Sequence, residues 1–88
     1  MFDSIPMARA GIEAKEIGGE TLLIDGDDIH VLNETAAFIW HLCDGQHSLA
    51  DIEAALRQEY SVPEENDLRA DITQTVEELR VKRLLEAP

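Results

Sequence analysis

Apolar residues recur along this 88-residue chain with two different periods. Across positions 11–32 the spacing is close to two. Ile12, Ala14 and Ile17 fall near alternation, Gly18-Gly19 interrupts, and the runs TLLI (21–24) and IHVL (29–32) follow. Alternation puts successive side chains on opposite faces of a strand. Ile29 and Val31 therefore belong to one face, and His30 and Leu32 to the other. Asp25-Gly26 is a strong hairpin-turn dipeptide, because Gly tolerates positive φ. Residues 11–32 predict three short strands in a meander, or a hairpin with a weak first strand.

From Leu32 the period changes to that of a helix. Asn33 is a good N-cap, and Ala36, Ile39, Trp40 and Cys43 make one apolar stripe, which predicts a helix over 34–43. Asp44-Gly45 stops it, Gly being the residue that takes the left-handed conformation at little cost. Ser48 with Asp51 is a capping-box-like start for a second helix over 49–59, with Leu49, Ile52 and Leu56 inward. Pro63 breaks the chain. A third helix is predicted from Glu64 to Lys82, with Leu68, Ile72, Val76 (or Thr75) and Leu79 as its stripe. Acidic residues crowd its start and Arg80, Lys82 and Arg83 its end, as the helix dipole favours. Trp40, the only Trp, is the natural core anchor, and Leu84-Leu85 is an apolar tail that folds back on the core.

The order is β-β-β-α-α-α. A small sheet needs a cover over its apolar face, and three amphipathic helices supply it. The fold class is α+β: a winged helix-turn-helix-like domain with a three-stranded antiparallel sheet followed by three helices. The expected organisation is a flexible N-terminal arm over 1–10 and a single domain over 11–88.

Charge narrows the partners. Seven Lys and Arg stand against 19 Asp and Glu, a net charge of −12. Such a field repels phosphate backbones, so nucleic acid is an unfavoured partner, whereas a basic peptide is drawn in. A DNA-reading helix needs cations and amides on its exposed face. The third helix offers Asn66, Arg69, Gln74 and Arg80 among six acids. No run approaches the roughly 20 apolar residues of a membrane span, and the N-terminus does not read as a secretory signal. A single cysteine permits no intramolecular disulfide and no cysteine-rich metal site. A reducing, cytoplasmic setting is the expectation.

Catalytic constellations are weak. His41 and Cys43 stand two apart on a helix and point in different directions, so with His47 they suggest a core thiol and surface imidazoles. His30 has no partner at ligand spacing. Asp25-Gly26-Asp27-Asp28 resembles a calcium-loop fragment, but Ala36 stands where the bidentate acid belongs. Asp3-Ser4-Ile5 resembles a phosphopantetheine site without the helix that should precede it. No catalytic residue, metal site or cofactor is expected. The remaining feature is the strand Asp28 to Leu32. At a sheet edge it exposes unpaired N–H and C=O groups that can accept an extended peptide. Asp27 and Asp28 can equally serve to guard that edge, which is the preferred reading of the residues alone.

The run Leu32-Asn33, Ala36-Ala37, Ile39-Trp40, Leu42, Asp44-Gly45, Leu49, Ile52, Leu56 and Tyr60, followed by Asp71-Ile72 and Leu79, resembles the PqqD-like family over about residues 11–85. These are pyrroloquinoline quinone biosynthesis protein D and its relatives, the recognition elements of ribosomal peptide modification systems. The resemblance implies a winged-helix-like fold without catalysis. It implies a stand-alone adaptor that captures the leader of a precursor peptide by β-strand addition. The adaptor then presents the peptide to a radical S-adenosylmethionine enzyme, a protease or a cyclase. By position the peptide-binding residues would be Asp28, Ile29, His30, Val31 and Leu32 on the strand. On the third helix they would be Leu68, Arg69, Ile72, Thr73 and Val76. The alternative is a winged-helix transcription regulator binding DNA, and a third possibility is a scaffolding subunit that never touches substrate. A monomer or a weak homodimer is expected.

Overall fold

A computed structural model of the chain describes residues 3–61 and 67–86. Its elements run β1 (Glu13–Ile17), β2 (Glu20–Asp25), β3 (Asp28–Leu32), α1 (Glu34–His41), α2 (Leu49–Tyr60) and α3 (Leu68–Val81). This is the α+β order read from the sequence. The part of the third helix expected from Glu64 to Asn66 lies outside the described residues.

The sheet is antiparallel, in the order β1-β2-β3. Two tight turns make it. Gly18 and Gly19 both have positive φ (60° and 84°), as a type I′ turn requires. The second turn falls between TLLI and IHVL, where the sequence puts it. Gly26 takes the positive φ (61°) of the first central position, Asp27 is the second, and Asp25 closes β2 opposite Asp28. Asp25 can then turn its carboxylate to Arg9, with which it forms an ion pair.

Each helix start has a physical reason. The Asn33 side chain accepts the Ala36 N–H at 2.8 Å. Ser48 and Asp51 form a reciprocal capping box at α2. Asp67 caps α3 by accepting the Ala70 N–H at 3.2 Å. One end differs from expectation. α1 stops at His41, before Asp44-Gly45, and its last turn tightens through Cys43 N–H to the Trp40 carbonyl at 3.0 Å. Gly45 has φ 78° but serves another contact. Its N–H donates to the Pro6 carbonyl at 3.1 Å, and a Cβ there would meet the Met7 sulfur at 3.2 Å.

The predicted stripes of the three helices reach the core. Leu23 and Leu32 from the sheet meet Ile39 and Trp40 from α1, Ile52 and Leu56 from α2, and Leu68, Ile72, Val76 and Leu79 from α3, all buried. α1 lies against β2 and β3, and α3 against α1 and α2. The tail folds back as expected, with Leu84 and Leu85 buried, and the Leu84 carbonyl accepts the Trp40 indole N–H at 3.4 Å. Residues 4–9 carry no helix, but their backbone is tied down. Ala8 N–H donates to Cys43 O at 2.6 Å, Arg9 N–H to Leu84 O at 3.1 Å, and Leu49 N–H to Ser4 O at 2.9 Å.

The α3 terminus carries a Schellman motif with an unusual residue. Leu84 N–H bonds Leu79 O at 2.9 Å and Arg83 N–H bonds Arg80 O at 3.0 Å, which forces Arg83 to φ 61°. A side chain in that conformation costs about 1 kcal/mol. Arg83→Gly is therefore expected to stabilise the domain by about 0.5–1 kcal/mol, read as a rise of a few degrees in the thermal midpoint.

Candidate functional site

β3 pairs with β2 on one side only. In a two-residue hairpin the closing pair, here Asp25 and Asp28, exchanges both backbone bonds, and bonded and non-bonded pairs then alternate. The backbones of Asp28, His30 and Leu32 therefore face β2. Those of Ile29 and Val31 face outward. Among the described residues, no backbone hydrogen bond from another part of the chain reaches β3. Two N–H and two C=O groups are thus presented on one edge, within two extended residues.

The side chains of β3 alternate as the sequence predicts. Ile29 and Val31 are 61% and 52% exposed, whereas Leu32 is buried and His30 half-buried toward the helices. Asp28, where β3 begins, is exposed beside Asp27. The edge is therefore apolar in its middle and acidic where β3 begins.

The α3 residues named from the sequence divide in two. Leu68, Ile72 and Val76 are buried at 7%, 0% and 4% exposure and contribute to the core. Arg69 is exposed and reaches across to Glu53 on α2, Nε to Oε1 at 3.0 Å. Thr73 stands one turn on from Arg69, on the same side of the helix, and is half-buried.

The candidate catalytic groups do not converge. Cys43 is 1% exposed, its Sγ donates to the Ile39 carbonyl at 3.2 Å, and burial, helped by the Asp44 charge, pushes its thiol up to about 12. His41 is exposed and meets the Trp40 ring edge-on. His47 Nδ1 lies 2.9 Å from Asp44 Oδ1, and that contact, with the Gln46 N–H, holds the Asp44 carboxyl below its usual range. No group of three or more His, Cys, Asp or Glu among the described residues could hold a metal ion. Cys43 is expected to resist a thiol reagent at pH 8 and to react fully in denaturant. A raised native value stabilises only while the unfolded thiol also keeps its proton. The domain should then lose stability between pH 9.0 and about 12, by up to about 1.4 kcal/mol per unit, as measured by denaturant melts.

The cations of α3 are engaged with carboxylates. Arg69 holds Glu53, and Arg80 Nη1 holds Glu77 Oε1 at 2.9 Å. The face that a duplex would have to meet is therefore neutralised or acidic. No helix among the described residues is long and apolar enough to cross a membrane. A concavity of about 370 Å³ lies away from β3, between residues 4–7, Leu49, Val76, Arg80 and Leu85.

The geometry is that of an α+β domain whose last strand keeps an open margin among the described residues. Residues 20–85 match the family model described as coenzyme PQQ synthesis protein D (PqqD), and the chain belongs to that family. At the level of the family it stands among non-catalytic, peptide-binding accessory proteins of the coenzyme PQQ synthesis type. Comparison with curated proteins and with solved structures returned no match.

Proposed function

We propose that this protein is a stand-alone adaptor that captures the leader of a ribosomally made precursor peptide as an added strand on β3 and presents it to a modifying enzyme, in the cytoplasm and without catalysis of its own. The observation that carries this reading is the outward backbone of Ile29 and Val31 on an edge that no other segment among the described residues pairs with. An extended peptide laid there gains up to four main-chain hydrogen bonds, which fix its direction and register. Its side chains then alternate. Those beside His30 and Leu32 turn toward the helices, and those beside Ile29 and Val31 turn outward. On α3, Leu68, Ile72 and Val76 serve as a rigid apolar backing from within the core, while Arg69 and Thr73 offer polar contacts from its flank. Main-chain pairing thus supplies most of the affinity.

The net charge of −12 speeds encounter with a basic leader and disfavours a duplex. Ordering a flexible leader costs several kcal/mol, so a dissociation constant between nanomolar and micromolar is expected. The partners are the precursor and its processing enzyme, a radical S-adenosylmethionine enzyme, a protease or a cyclase. The test is a pair of titrations at low salt. One uses a labelled candidate leader peptide, the other a labelled duplex. Saturable binding of the leader alone supports the adaptor. Tight binding of the duplex with none of the leader overturns it.

A further inference from the structure

The outer face of the sheet carries apolar side chains that the core does not use. On β2, Leu23 points into the core at 0% exposure, so its neighbours Leu22 and Ile24 point away from the helices. They stand directly opposite Val31 and Ile29 on β3. Both couples are non-hydrogen-bonded pairs, the kind whose side chains approach most closely. Four aliphatic side chains therefore form one patch, with Ile29 and Val31 more than half exposed. On β1, the same face presents Glu13 opposite Ile24, Lys15 opposite Leu22, and Ile17 opposite Glu20. Ile17 is 60% exposed.

The surroundings of this patch are acidic. Glu13 flanks it along β1, Glu20 stands at one end, and Asp27 lies in the turn at the other. Lys15 is the only cation among these positions, and its Nζ leans to Glu13 at 3.9 Å. A clustered apolar patch on a small domain marks an interaction surface. Charge decides its occupant. A second copy would bring another −12 and the same carboxylates to the contact. A surface with an apolar centre and a rim of lysine and arginine would meet both the aliphatic centre and the acidic border.

We propose that the outer sheet face of β2 and β3 docks the peptide-modifying enzyme, through an apolar patch on the enzyme that is ringed by basic side chains. This rests on the adaptor reading but uses the side chains of the outer sheet face, where the peptide uses the backbone margin of β3. The backbones of Leu22 and Ile24 are paired with β1, so their side chains can change without altering the outward groups of Ile29 and Val31.

The experiment compares wild type, the double variant Leu22→Thr/Ile24→Thr and the double variant Glu13→Lys/Glu20→Lys. The probes are a labelled candidate leader peptide and, as candidate modifying enzyme, a purified radical S-adenosylmethionine enzyme, protease or cyclase. The threonine variant is expected to bind the leader as wild type does, and the lysine variant within about threefold of it. The threonine variant should bind the enzyme about tenfold more weakly. The lysine variant should bind it at least about threefold more weakly, with a shallower salt dependence. Unchanged enzyme affinity in both variants would overturn the proposal. So would a wild-type dimer in sedimentation that the threonine variant converts to monomer, since a second copy would then occupy the face. If the threonine variant loses its fold, the exposed charge reversals decide the matter alone. Loss of enzyme binding by the variants in a protein that never binds leader would support the docking face and remove the strand-addition reading.

Discussion

Val31→Pro is expected to abolish leader capture while leaving the domain folded. The Val31 N–H faces away from β2, so proline removes no bond of the sheet, and edge strands tolerate it for that reason. For a visiting strand the same change removes a donor and sets a pyrrolidine ring where its carbonyl must approach. An unmade bond costs about 1–3 kcal/mol, and the ring adds to that, so affinity should fall by about 30-fold or more. His30→Pro is the control. Its N–H belongs to the β2 ladder, opposite Leu23, so proline there should cost about 3 kcal/mol of stability. Fluorescence anisotropy with labelled leader, alongside thermal melts, reads both effects. Two prolines one residue apart should thus separate, one losing binding and the other losing fold. Equal capture by Val31→Pro and wild type would show that the peptide uses another surface.

The second large effect concerns α3. Ile72 is 0% exposed in the middle of the core, so Ile72→Ala should cost about 2–5 kcal/mol through lost burial and the cavity left behind. A domain of this size has roughly 4–13 kcal/mol in total, so the thermal midpoint should drop by about 10–25 °C. Leader affinity measured well below that midpoint should change by only a few-fold, because the Ile72 side chain is wholly inside the core. A wall residue would behave in the opposite way, with an intact melt and lost binding. The comparison therefore separates support from contact on α3.

How much of this could be read from the residues depends on which forces are local. The alternation of IHVL put Ile29 and Val31 on one face and His30 and Leu32 on the other, and the capping signals at Asn33 and at Ser48 with Asp51 located two helix starts, because a cap acts within one turn. The leucine and isoleucine stripes of α2 and α3 announced the core for the same reason. The left-handed conformation of Arg83 was harder to read, because the Schellman bonds impose it on a residue that carries no glycine signal. The same limit applies to α3. Periodicity names Leu68, Ile72 and Val76 as apolar but cannot tell a groove wall from a core stripe, and burial settles where they stand. The outer patch escaped because Leu22 and Ile24 sit inside TLLI, a run whose alternation is masked by three successive aliphatic residues.

Amide chemical shifts of the labelled protein, followed while unlabelled leader peptide is added, put the open edge to the most direct trial. The Ile29 and Val31 amides should move downfield and become slow to exchange with solvent, as newly bonded strand N–H groups do, while His30, already bonded to β2, should change far less. Protection appearing along Glu13–Ile17 instead, or no new protection anywhere in β3 at saturating peptide, would contradict capture at this margin.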